Sequence, residues 1–142
     1  MSGVEQIAQR FFEDVLTARN SAAADALVAE HFVDHDSMPM QAKGRDGLLA
    51  AVGSMHEALP DCRYEALLLI PDGSKVAVRW RMTGTNSGSL FGREPTGRAV
   101  DVTGVDVLAF RDDRVHQRWS KWERHLLLAQ LGITPPVKPK GG

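Results

Sequence analysis

The order of apolar and polar positions divides the chain into a helical first half and a β second half. Val4, Ile7, Ala8, Phe11, Phe12, Val15 and Leu16 recur at helical spacing and predict an amphipathic first helix of roughly four turns. Asn20-Ser21 interrupts it, and short polar side chains there can accept the orphan amides of a new helix start. A short second helix is expected over residues 22–30, with Leu27 and Val28 turned inward. Residues 31–36 read as a short strand that ends before Met38-Pro39. Gly44 opens a third helix with Leu48, Leu49, Val52 and Met55 on one face, and Pro60 stops it.

Beyond Pro60 the period changes to two. Residues 62–70, 76–85, 99–110 and 115–122 predict four strands, with hairpin turns at Pro71-Asp72-Gly73-Ser74 and Arg111-Asp112-Asp113-Arg114. The stretch 86–98 is rich in Gly, Ser and Pro and reads as a loop, of a length that often serves as a lid. A last helical turn is expected at 125–131, followed by a Pro/Lys/Gly-rich tail at 134–142 expected to be disordered. Helices first and hairpin-linked strands after predict one α+β domain, residues 1–133, with an antiparallel sheet.

Composition narrows the function classes. The chain has 142 residues, enough to bury a core without metals or disulfides. A formal net charge of −1 provides no overall field for nucleic acid or anionic membrane. No apolar run approaches the ~18 residues of a membrane span. Cys62 is the single cysteine, so no intrachain disulfide and no Cys-rich zinc site can form. These features predict a cytoplasmic protein.

Several short motifs occur in order: Val76-Ala-Val-Arg-Trp-Arg-Met-Thr-Gly-Thr-Asn86, Pro95-Thr-Gly-Arg98, Thr103-Gly104 and Gln130-Leu-Gly132. Together they resemble the SnoaL-like polyketide cyclases of the nuclear-transport-factor-2-like superfamily, over nearly everything from Val4 to Ile133. The resemblance implies a cone-shaped fold, three helices against a strongly bent sheet enclosing a pocket. It also implies a homodimer, an apolar small-molecule substrate and chemistry without a cofactor. Relatives include aldol cyclases, epoxide hydrolases, steroid isomerases and non-catalytic binders, so fold alone does not choose the reaction.

Aligned with the aldol cyclases, Asp106 stands at the position of the family's catalytic His and Ser120 at that of its Asp. The Asp–Arg–Asp trio of limonene-epoxide hydrolases falls on Trp80, Met82 and Ser120 and is therefore missing. Asp106 interrupts the apolar run Val102, Val105, Val107, Leu108, Phe110, where a solvated strand rarely carries a lone carboxylate. In a cavity, desolvation would raise its pKa and suit it to proton transfer. The competing reading is a structural pair with a basic neighbour. A three-residue turn at Asp112-Asp113-Arg114, with Asp113 left-handed, would set Asp106 opposite Ser120 and Leu108 opposite Arg118. Arg118 would then lie diagonally near Asp106 and lower its pKa.

His35 and Ser37 occupy positions that line the pocket in relatives, and His35 could shuttle protons near neutral pH. His56 and His125 read as surface groups and His116 as a rim residue. His31 and His35 lie about 13 Å apart in an extended strand, too far to share an ion, so no metal is expected. By the resemblance, Trp80 and Met82 point into the cavity, and Met38, Met55, Phe91, Leu108 and Trp122 complete its wall. Arg79 and Arg81 alternate to the other face, and Glu123 reads as a mouth or capping residue. The sequence thus leaves three functions open: a cyclase or isomerase using Asp106 with His35, Ser120 and Arg118; an epoxide-opening cyclase or hydrolase; and a non-catalytic binder.

Overall fold

The computed structural model describes residues 3–90 and 92–133. Phe91 and the expected tail at 134–142 lie outside the described residues. The first helix, α1 (Gly3–Arg10), continues as seven π-helical residues, Phe11–Thr17. Phe11, Phe12, Val15 and Leu16 are all buried there. The wider turns leave Thr17 Oγ1 free to donate to Phe12 O at 2.9 Å, and it accepts from Tyr64 N at 2.9 Å. This ties the helix end to the sheet. Asn20 caps α2 (Ser21–Leu27) by accepting from Ala23 N at 3.0 Å.

The second helix is shorter than its expected 22–30 span. Extended backbone begins at Val28, a buried β-branched residue suited to a strand, and β1 runs Val28–Asp34. After α3 (Gly44–Ala58) come β2 (Arg63–Asp72), β3 (Lys75–Thr85), β4 (Ala99–Arg111) and β5 (Arg114–Trp122), then α4 (Arg124–Gln130). The sheet order is β1-β5-β4-β3-β2. Neighbours among β2 to β5 are antiparallel, as the hairpins require, but β1 pairs with β5 in parallel. The sheet is therefore mixed, because β1 reaches its partner across the rest of the chain rather than through a hairpin.

Alternation assigns the two faces. Val76, Val78, Trp80 and Met82 of β3 and Val100, Val102, Gly104, Asp106 and Leu108 of β4 are buried on the inner face. The helices pack there with Phe11, Phe12, Leu16, Leu48 and Val52. Gly104 is required for that packing: a Cβ at this position would stand 2.5 Å from Trp80 Cζ2 and 2.6 Å from Trp122 Cβ. The outer face carries Val33, Leu68, Ile70 and Val105, all exposed.

The β4–β5 hairpin differs in detail from its expected form. Asp112 and Asp113 both take positive φ, 53° and 61°, and Arg111 pairs with Arg114 across a two-residue turn. That turn alone would put the wrong faces together. A bulge at His116 restores the register, because Phe110 pairs with Val115 but Ala109 with Gln117. Asp106 consequently stands opposite Ser120 and Leu108 opposite Arg118.

Candidate functional site

At the centre of the inner face lies the Asp106 carboxylate, fully buried. Trp80 Nε1 donates to Oδ1 at 2.9 Å and Arg118 Nε donates to Oδ2 at 2.7 Å. The Trp80 bond crosses from β3 and the Arg118 bond from β5, so three strands hold one side chain. Burial works against the charge of Arg118, but the Asp106 carboxylate and the more distant Asp34 raise its pKa above the ordinary guanidinium value. The Arg118 side chain is 12% exposed and forms the edge of the site. Among the described residues its terminal amino groups have no hydrogen-bond acceptor.

Ser120 stands beside this pair. Its backbone N–H donates to Asp36 Oδ2 at 2.8 Å, but its buried Oγ has no partner among the described residues. A buried hydroxyl without a partner is uncommon, and this one shares a face with Asp106 and Arg118. The Tyr64 ring lies 5.8 Å from Trp80. Burial pushes its phenol well above the usual range, with Cys62 acting in the same direction and Arg118 against it. The Cys62 thiol, mostly desolvated, is pushed up to about 12 although its hydrogen bond with Tyr64 opposes the shift. Tyr64 is the group that sequence reasoning missed. Its alternation with Cys62, just before β2, and with Ala66 on that strand was the available signal.

Other expected residues divide by face. Trp80, Met82 and Leu108 are buried, Trp122 is partly buried 6.3 Å from Trp80, and Met55 packs against the core. Met38 is partly buried and Ser37 exposed. His35 is not brought to Asp106. Phe32 points inward, so alternation sends His35 outward, where it stacks on Trp119 at 4.5 Å and meets Gln117 Oε1 at 2.8 Å. His56, expected at the surface, is buried and bonded to Leu16 O at 2.7 Å, while His125 is exposed. Arg81 lies on the outer face, paired twice with Asp101 at 2.8 and 2.6 Å. Glu123 accepts from Thr103 N at 2.7 Å and Thr103 Oγ1 at 2.8 Å, clamping α4's approach to β4 rather than capping the helix with its side chain.

Two cavities flank the site. A recess of about 130 Å³ lies between the first helix and β2 and includes Tyr64 in its wall. A larger cleft of about 350 Å³ lies where β1 and β5 separate. Neither is lined by Asp106, Trp80 or Met82; Arg118, Ser120 and Trp122, all partly exposed, are the residues of the site nearest the surface. The loop 86–98 is fixed by the buried Asn86. Its amide donates to Ala58 O and Gly88 O at 3.1 and 2.9 Å, and its Oδ1 accepts from Thr96 N and Oγ1, both at 2.9 Å.

A candidate polyketide cyclase from Bacillus cereus superposes with a TM-score of 0.81 at 25% identity, covering 93% of this chain and 83% of that one. IdmH, a candidate polyketide cyclase from Streptomyces antibioticus, gives 0.78 at 26% identity over 94% and 100%. AclR, a candidate hydroxylase from Streptomyces galilaeus, gives 0.76 at 21% identity over 93% and 97%, a likeness of fold alone. No protein of curated function matches the chain. The family model for the SnoaL-like polyketide cyclases matches residues 6–131. The chain belongs to the SnoaL-like polyketide cyclase family.

Proposed function

We propose that this protein is a cofactor-independent cyclase or isomerase acting on a polyketide-like, apolar small molecule by acid/base chemistry. The observation that carries the reading is the buried Asp106 carboxylate held between Trp80 and Arg118 beside the unpartnered Ser120 hydroxyl. Each carboxylate oxygen retains a lone pair after these bonds. Asp106 would remove a proton from a carbon next to a carbonyl. The free amino groups of Arg118 and the Ser120 hydroxyl would stabilise the enolate oxygen that develops. Both Asp106 partners are donors, so the geometry favours a base over the acid that epoxide opening would need.

The test is turnover of a linear poly-β-ketone thioester mimic. Asp106→Asn should lower the rate by about 10²–10⁴-fold, the usual worth of a positioned acid or base. Full activity in that variant rejects the role. A second reading, a binder without turnover, is favoured by the fact that both oxygens of Asp106 already have partners. Retention of a ligand with no product after incubation would establish it.

The reading includes a homodimer and a cytoplasmic location. Exposed Val33, Leu68, Ile70 and Val105, with the stacked His35–Trp119 pair, add apolar area to an outer sheet face that also carries Arg79 and the Arg81–Asp101 pair, a mixed surface suited to a second copy. Sedimentation should give a dimer that Val105→Lys dissociates, and a monomeric parent protein would reject the pairing. Among the described residues no helix is long and apolar enough to cross a membrane.

A further inference from the structure

The 350 Å³ cleft is produced by a break in sheet pairing. Val28 pairs with Val115, but the next pair is Val33 with Gln117, so five steps along β1 correspond to two along β5. The excess chain bows away from β5, and the opening is lined by Ala29, Glu30, Arg45, Arg111, Arg114 and His116, with Asp112 at the hairpin tip. The His116 bulge lies on the facing strand, and bulges commonly re-aim a side chain at a functional position. The wall is therefore polar and rich in guanidinium groups, unlike the apolar centre of the sheet.

We propose that this cleft binds a small oxyanion carried as a phosphate group. Arg45 is pre-set for this: it donates to Val28 O at 3.1 Å and pairs with Asp25 at 3.5 Å. Arg114 Nε is held by Asp25 O at 3.4 Å. The Arg111 side chain has no hydrogen-bond or ion-pair partner among the described residues. Glu30 and Asp112 share the rim, but neither forms an ion pair with these arginines among the described residues. Asp25, Glu30 and Asp112 balance the three guanidinium charges in number, but Arg111 and Arg114 form no ion pair among the described residues and remain available to an anion in the concave site. The start of α3 adds to the attraction. The position of a Cβ on Gly44 lies 2.9 Å from Glu30 O, so the positive end of this 15-residue helix abuts the cleft. Planar guanidinium forks recognise phosphate through paired hydrogen bonds.

The site is independent of the Asp106 reading, and its test uses binding alone. The full-length protein is titrated by calorimetry at low ionic strength with inorganic phosphate, and separately with methyl phosphate and AMP. Saturable binding is expected, weakened about tenfold or more by Arg111→Ser and by Arg114→Ser, since bonds to charged groups are worth at least that factor. Arg63→Ser, on the opposite edge of the sheet, should bind like the parent. Tighter binding of a phosphomonoester than of free phosphate identifies a phosphorylated small molecule as the ligand. Equal or tighter binding of free phosphate identifies the anion itself. No saturable binding, or equal affinity in all three variants, overturns the proposal.

Discussion

Arg118 and Asp106 meet on a diagonal between β5 and β4, Nε to Oδ2 at 2.7 Å, with the carboxylate fully buried and the guanidinium nearly so. A pair in this position is costly to split. Removing one partner strands a charge in the core, and losses of about 3–5 kcal/mol are typical. Asp106→Leu and Arg118→Met should each lower the urea-derived stability by about that amount. The double variant should recover most of the loss, because an apolar pair of similar volume needs no solvation. A double variant no more stable than either single one would show that the pair is not the source.

Gly104 offers a test of the packing over β4. Gly104→Ala inserts a methyl group against Trp80 and Trp122, both built from rigid rings. Overpacking of this kind costs about 1–3 kcal/mol. Since Trp80 also donates to Asp106, the variant should shift the tryptophan emission and impair the site together. A variant with unchanged stability and emission would mean the indole has room to move.

Asn86 organises the long loop. Asn86→Ala removes four hydrogen bonds, to Ala58 O, Gly88 O, Thr96 N and Thr96 Oγ1, although Ala58 O keeps Gly88 N as a donor. About 2–4 kcal/mol of destabilisation is expected, at roughly 0.5–1 kcal/mol per net bond. Limited proteolysis should move to residues 86–98. Cleavage kinetics identical to the parent would count against this role.

Glu123 supplies an acid-side pH dependence. The Thr103 backbone amide, then its hydroxyl, hold the carboxyl below its ordinary 4.5. A depressed folded value means that the stabilisation is present above 4.5 and is lost as pH falls through the folded value. Glu123→Gln should therefore flatten the decline of stability below about pH 4.5 and leave the profile at pH 6–8 parallel to the parent. Superimposable acid limbs would refute the assignment.

Much of this architecture was legible in the sequence, because alternation and turn residues are local signals. The strands at 62–70, 76–85, 99–110 and 115–122 lie within a few residues of β2 to β5, and Asp106 stands opposite Ser120 as expected, though through a two-residue turn and a bulge in place of the expected three-residue turn. What escaped depends on partners distant in the chain. His56 reads as polar and exposed until Leu16 O is brought to it. The parallel pairing of β1 has no turn to announce it. Tyr64 gains meaning only when Trp80 and Asp106 fold beside it, and His35 is separated from them by the phase of one short strand. The bulge at His116 has no compositional signature at all.

That bulge has a consequence for how the hairpin can vary. If His116 paired regularly with Ala109 while the two-residue turn was kept, the rest of β5 would advance by one position, exchanging Arg118 and Ser120 for Gln117 and Trp119 beneath the helices. Every later side chain of the strand would swap sides, and the carboxylate would lose its cation while an indole was driven into the space. A single surplus residue thus sets which half of β5 is available for chemistry. Deleting His116 itself would keep Gln117 opposite Ala109 and leave that half unchanged, whereas a deletion further along β5 would exchange the two faces.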